Sequence, residues 1–296
     1  MQRINFMTIS SSKFSDFLNL PHVGKSVPID RPSALDGIGK GLLKYAKFFS
    51  TEILYQLNTE AANFAIVSEE YGSVLKTPHV VSQNPRLDFI KCLNRFFPNQ
   101  YEPEISKAAQ IDETAVIGEN VSVGANTVIG KNVIIGENTR ILNNVVVSDG
   151  TVIGANCLIK SGSVIGEKGF GFQREGDDIL EFIHYGKVVI GDNVEIGALN
   201  TIAQGILKDT FIGDNVKTDD HIHIAHNISV GKNTLIVCGA IVCGSVEIGE
   251  GSWIGPNSSI IDQAKLGERC FVGIGTNVTK SFEADSKVVG NPARKI

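Results

Sequence analysis

Three of the chain's six histidines fall within six residues, as His221-x-His223-x-x-His226. An imidazole with an ordinary pKa near 6.5 takes up and releases a proton close to neutrality, so this segment offers a general base. The same spacing also invites a zinc reading. A metal would need a third or fourth ligand and hydrogen-bonded supports, which in an oligomer could come from a neighbour. Histidines that hydrogen-bond beside a cleft are the plainer reading, and no metal is expected.

The elements that must position these histidines repeat every six residues. Aliphatic residues recur from Ile111 to Ile165 in steps of six, then at Ile190, Ile196 and Ile202. On a shifted frame they run from Ile206 to Val278, with Thr218 the sole departure. A period of six fits neither an amphipathic helix nor an ordinary strand; it marks a hexapeptide β-helix, in which three hexads close one coil. Gly follows the aliphatic residue at many hexads, as at Gly118 and Gly213, with Asn nearby at Asn120 and Asn215. The bend is expected to use Gly, or Asn in its place, for its backbone angles. His226 and Gly244 are 18 residues apart, one full coil, and are expected on the same wall in adjacent layers.

Composition narrows the function. A net charge of −5, a pI near 5.7 and the lack of a basic run argue against a nucleic-acid binder. No apolar run reaches the length of a membrane span, and residues 1–5 lack the apolar core of a signal peptide, so a cytoplasmic location is expected. Five cysteines without a CxxC pair read as reduced structural thiols.

Residues 1–100 carry no hexad and read as a small α/β domain. Residues 36–58 have apolar positions at helix-like intervals, 64–67 and 77–81 read as short strands, and Asn84-Pro85 opens a helix over 86–97. Residues 97–103 form the linker. The β-helix spans 104–285, interrupted at 169–187 by a loop or hairpin that begins Gly169-Phe170-Gly171-Phe172, and 286–296 form a tail. Insertions in a solenoid often border its binding cleft.

Three segments in order, Asn84-Pro85-Arg86-Leu87, Gly169-Phe170-Gly171-Phe172 with Gly186-Lys187-Val188-Val189-Ile190-Gly191, and Ile224-Ala225-His226-Asn227, resemble the left-handed β-helix acyltransferases, above all the UDP-3-O-acylglucosamine N-acyltransferases of lipid A biosynthesis. The resemblance implies a mainly β fold, a left-handed parallel β-helix of hexapeptide repeats with a small N-terminal α/β domain that binds a nucleotide sugar. It implies His226 as general base and the Gly244 N–H as oxyanion donor. Where that family has a histidine at the pantetheine arm, this chain has Gln263. The ending Gly290-Asn291-Pro292-Ala293-Arg294 is similar to the acetyl-CoA-dependent sugar acetyltransferases of the same fold, and the extra C-terminal helices that engage acyl carrier protein are not in this sequence.

The expectation is a cytoplasmic homotrimer that acylates the amine of a nucleotide-linked amino sugar for lipopolysaccharide or another surface glycan. Acetyl-CoA is the favoured donor; the alternative is the lipid A enzyme itself, moving a hydroxyacyl chain from acyl carrier protein. Asn227, Asp219 and Asp220 are the candidates to orient the His226 imidazole, Asn227 being placed with the catalytic pair. Acceptor contacts are expected from His223, His184, Phe170 and Phe172, and donor contacts from Gln263, Lys280, Asn291 and Arg294, the cations meeting phosphate.

Overall fold

A computed structural model describes residues 8–59, 62–99 and 101–296 of the chain. Residues 1–5, and Gln100 of the expected linker, lie outside the described residues. The chain divides into two compact units, Met1–Tyr101 and Glu102–Ile296. Among the described residues no helix is long and apolar enough to cross a membrane.

The first unit is α/β. Its four-stranded parallel sheet runs in the order Arg31–Pro32, Leu42–Ala46, Phe64–Val67, His79–Val81. Helices Ser12–Leu18, Thr51–Asn58 and Pro85–Phe96 accompany it. Asn84 caps the last helix through its Oδ1, which accepts from Leu87 N–H at 3.3 Å, and Pro85 takes the first turn, where its missing N–H does no harm. The helix-like spacing over 36–58 is corrected here: Leu42–Ala46 is a strand. It is buried on both faces, so the alternation that marks a half-exposed strand is missing. Even Lys44 is buried, its ammonium reaching the carbonyls of Leu35 and Gly37 at 3.0 and 2.7 Å. Cys92 packs in the core of this unit, and burial pushes its thiol up to about 12.

The second unit is a parallel β-solenoid of three sheets, with nine, eight and ten strands. Each two-residue strand pairs with the strand one coil away, as Ile224 with Val242 and Val242 with Ile260. From Val123 to Val288 the inward residue of the strands is buried, giving a column mostly of Ile, Val and Leu, against which the partly buried Ile111 and Ile117 pack. A single turn cannot bury that face alone, so stacking carries the stability. Ile248 is 3% exposed and stacks between Val230 and Leu266. Ile248→Asp places a charge without a partner in this column and is expected to destabilise the unit by about 4 kcal/mol or more. Its outward neighbour Glu247, in an exposed ion pair with Lys265, should tolerate Ala within about 1 kcal/mol. Thermal melts of the two variants check both.

Thr218, the aliphatic rule's exception, sits in a buried polar cluster. Its Oγ1 accepts from Gly197 N–H at 3.0 Å and Asn200 Nδ2 at 2.8 Å, while Asn200 Oδ1 accepts from Ile222 N–H at 2.7 Å. The bends also differ from the expected Gly-first scheme. The left-handed residue comes third after the aliphatic one and is mostly Asn, as Asn120, Asn126 and Asn138 near φ +57. The glycine directly after the aliphatic residue serves close approach instead. A Cβ on Gly118 would lie 2.7 Å from Glu137 N, and one on Gly136 2.5 Å from Ala155 N.

A second device caps these bends. Asn143, Asp149, Asp192 and Asp220 each accept, through a side-chain oxygen, the bend N–H of the neighbouring coil: Ala125, Lys131, Ala155 and Ala198, at 2.7–2.8 Å. The insertion is an antiparallel hairpin, Phe172–Glu175 with Asp178–Glu181, its strands exposed. At the far end, Lys287–Val289 and Arg294–Lys295 close the ten-stranded sheet, the last pair antiparallel.

Candidate active site

His226, Gly244, Asp262 and Lys280 each follow a strand of the nine-stranded sheet by the same offset, so they form one column, a coil apart. At about 4.8 Å between strands, Lys280 is roughly 14 Å along the prism from His226. The Ser245 N–H donates to the His226 carbonyl at 2.9 Å, and the Gln263 N–H to the Gly244 carbonyl at 2.9 Å.

The His226 ring lies directly over Gly244. A Cβ there would stand 2.6 Å from Cε1, 2.9 Å from Nε2 and 3.3 Å from Nδ1. The glycine is therefore the residue whose absent side chain makes room for the imidazole. Its N–H occupies the bend position that Asp or Asn caps at Ala125, Lys131, Ala155 and Ala198. The residue positioned to cap it is Asp262, which instead accepts from Gln263 Nε2 at 3.0 Å. The neighbouring N–H groups of Cys243 and Ser245 donate to Ile260 and His226. Among the described residues no acceptor takes the Gly244 N–H. An imidazole and an uncapped backbone donor thus adjoin, the pair that acyl transfer requires.

Burial holds the His226 pKa below its ordinary 6.5; the charge of His184 acts the same way, and a contact with the Phe170 backbone opposes both. His184 comes from the end of the hairpin, its ring centroid 5.9 Å from that of His226 at 83°. The two glycines of the insertion's opening allow this packing. A Cβ on Gly169 would lie 3.3 Å from His226 Cβ, and one on Gly171 2.9 Å from His184 Cε1. Sequence reasoning singled out the phenylalanines between them and missed the glycines, although small residues alternating through an insertion are a signal of close backbone approach. Phe170 is 83% exposed and packs edge-on against Phe172, centroids 5.1 Å apart.

The structure places other candidates elsewhere. Asn227 Oδ1 accepts the Ile206 N–H at 2.6 Å, in the bend that follows the strand Thr201–Gln204. Asp219 Oδ1 accepts from Asp220 N–H, and Asp220 Oδ1 from Ala198 N–H, so no hydrogen bond joins any of the three expected orienters to His226 among the described residues. His223 Nδ1 is bonded to Thr201 Oγ1 at 2.7 Å, and His221 takes a left-handed bend position at φ +59. No three His, Cys, Asp or Glu side chains gather as metal ligands among the described residues. Gln263 lies a coil beyond Ser245, at the same bend position and in the left-handed conformation. Lys280 Nζ stands 5.6 Å from the Phe282 ring centroid. Asn291 and Arg294 belong to the closing tail, which hydrogen-bonds to Asn277 of the nine-stranded sheet.

Around the bend from His226, a cavity of about 560 Å³ opens between Phe182 of the hairpin, the apolar Ile206, Leu207 and Phe211, and the outward Ser229 and Glu247. A second, of about 630 Å³, shares Ser229 and Glu247 and continues past Lys265 to Phe282. Together they make a groove along the prism, apolar at the hairpin end.

Comparison with known proteins agrees with this geometry. Residues 245–280 match the bacterial transferase hexapeptide model of six repeats, and residues 105–170 match the GMPPB C-terminal domain. A UDP-3-O-acylglucosamine N-acyltransferase from a Caulobacter species is 34% identical over 130 residues, 44% of this chain and 38% of that protein. One of the same name from Delftia acidovorans is 38% identical over 122 residues, 41% of this chain and 36% of that protein. The chain thus spans well under half the length of these curated relatives. Among solved structures, LpxA from Acinetobacter baumannii superposes with a TM-score of 0.60 at 30% identity, covering 65% of this chain and 73% of that one. The UDP-N-acetylglucosamine acyltransferase of Francisella novicida gives 0.58 at 29%, covering 63% and 67%. On the repeat, the sheet topology and this extent of similarity, the chain belongs to the hexapeptide-repeat left-handed β-helix acyltransferases.

Proposed function

We propose that the chain is an N-acyltransferase that moves an acyl group from a thioester to the amine of a UDP-linked glucosamine-type sugar. The observation that carries this is the His226 imidazole seated over the uncapped Gly244 N–H. His226 takes the amine's proton as its nitrogen attacks the thioester carbonyl. The Gly244 N–H donates to the oxyanion, and collapse expels the thiolate, which regains a proton. Because burial lowers the His226 pKa, more than half of the base is neutral at pH 6.5, and the acid limb of kcat/KM should lie below that value. A limb at or above pH 7 would count against His226 as the base.

The relatives' names speak for the acceptor: the curated ones act on UDP-3-O-acylglucosamine, and a solved one on UDP-N-acetylglucosamine. They favour the lipid A reading with its hydroxyacyl carrier-protein donor over acetyl-CoA. A groove running along several coils, apolar at the hairpin, suits an extended acyl or pantetheine chain, with Lys280 in the bend before Phe282 for phosphate, whereas Arg294 lies on the ten-stranded sheet. In the first unit, the C-terminal ends of the parallel strands open onto a cavity of about 580 Å³ lined by Tyr45, Lys47, Phe48 and Arg86. Aromatic faces beside two cations there suit a nucleotide, at the end of the sheet where α/β units bind ligands. A cytoplasmic homotrimer completes the proposal; Leu235, Trp253 and Phe271, a coil apart and 37–41% exposed, give the ten-stranded wall an apolar stripe for a second copy.

The test is a transfer assay pairing acetyl-CoA, longer acyl-CoAs and hydroxyacyl carrier protein with UDP- and dTDP-linked amino sugars, read by product mass. Acylation of a UDP-linked amino sugar is expected, with the hydroxyacyl carrier protein the best donor. Transfer from acetyl-CoA alone would return the chain to the short-acyl reading.

A further inference from the structure

The candidate base lacks the orienting partner that triad logic leads one to expect, because Asn227, Asp219 and Asp220 are hydrogen-bonded elsewhere. What meets His226 comes from the insertion: the Phe170 backbone and the ring of His184. Two nitrogens on these rings are buried without a hydrogen-bond partner among the described residues: His184 Nε2 and His226 Nδ1. Their chemistry is complementary. His184 Nδ1 lies 2.9 Å from the Phe182 carbonyl oxygen, which can only accept, so Nδ1 carries the proton and neutral His184 presents Nε2 as a lone pair. That lone pair is the acceptor a protonated His226 Nδ1 needs. With Nδ1 protonated, the basic nitrogen of His226 is Nε2, the one set nearer the Gly244 position, 2.9 Å against 3.3 Å.

We propose that His184 is the positioning residue of this site: its Nε2 accepts from His226 Nδ1–H and holds the tautomer whose Nε2 faces the reacting centre. The two rings need only close along their edge-to-face contact to form that bond. The inference rests on the reading of His226 as the base, and it gives the insertion a task inside the site: the Phe182 carbonyl fixes His184, and His184 fixes His226. The other ionisable groups on the elements next to His226 are His223 on its own strand, Cys243 and Asp262 on the next two coils, and Lys168, which ends the strand Val164–Lys168 and pairs with Glu181 of the hairpin.

The test uses the full chain labelled with ¹⁵N-histidine. Its six imidazoles are assigned by single substitutions and followed by NMR across pH, without substrate. Neutral His226 is expected to carry its proton on Nδ1 and to titrate below 6.5. In His184→Phe, His226 is expected to shift to the Nε2–H form. His184→Gln, whose Oε1 can accept in place of Nε2, should keep the Nδ1–H form. Turnover should follow the tautomer, kcat falling by at least about tenfold in His184→Phe with KM little changed, and recovering in His184→Gln. An Nε2–H proton on His226 in the unsubstituted chain, or an unchanged tautomer in His184→Phe, overturns the proposal. The NMR result stands apart from the transfer assay: a chain with the expected tautomers that transfers no acyl group refutes the function, not the orientation.

Discussion

Replacing His226 by alanine lowers the rate of amide formation by roughly 10²–10⁴-fold, the usual contribution of a positioned general base. The fold survives the change. His226 is half-buried at a bend, and what it gives the solenoid is its carbonyl, which accepts the Ser245 N–H whatever the side chain. The inward column passes through Ile224, two residues earlier, and is untouched. The expected result is therefore an unchanged melting temperature beside a collapsed kcat, measured on the same preparation. Full activity in His226→Ala would remove the base from the mechanism.

Gly244→Ala is the second large effect, and it acts through space. Gly244 is outside the left-handed region, so alanine is compatible with its backbone. The new Cβ meets the far end of the His226 side chain at 2.6 Å, which yields by swinging the ring aside. At Gly118 the corresponding clash is with backbone nitrogen at 2.7 Å, which cannot yield without parting two coils. Gly118→Ala should thus lower the melting temperature, whereas Gly244→Ala should leave it nearly unchanged while displacing the imidazole from the oxyanion donor. A displacement of about 1 Å at a reacting centre is worth about 10²-fold in rate. Stability and kcat of the two variants, measured together, separate a structural glycine from a functional one.

The solenoid was legible because its demand on sequence is local and repeated: one inward residue in six must be aliphatic, and the pairing of His226 with Gly244 follows from a separation of one coil. Which bend residue does what was not legible. Gly and Asn both occur in each bend, and only the neighbouring backbone shows that Gly118 is needed for approach while Asn120 carries the left-handed angle. Leu42–Ala46 was read with the helical stretch because a strand buried on both faces has no alternation to betray it. Thr218 looked like a lapse in the repeat; its partners Asn200 and Gly197 belong to the adjoining coil, where no hexad count finds them. His184 stands 42 residues before His226 inside the insertion, where the coil arithmetic fails. The Asn227 amide looked free to orient its neighbour, but its oxygen accepts the Ile206 N–H.

The measurement that bears most directly on the central claim is the linkage made in the product. The unsubstituted chain and His226→Ala are incubated with a UDP-linked amino sugar and hydroxyacyl carrier protein, and the product is weighed before and after hydroxylamine, which cleaves esters and spares amides. The account predicts a mass gain of one acyl group that survives hydroxylamine with the unsubstituted chain and nearly disappears with His226→Ala. A hydroxylamine-labile product would contradict transfer to the amine. An amide formed equally fast by both proteins would contradict the site.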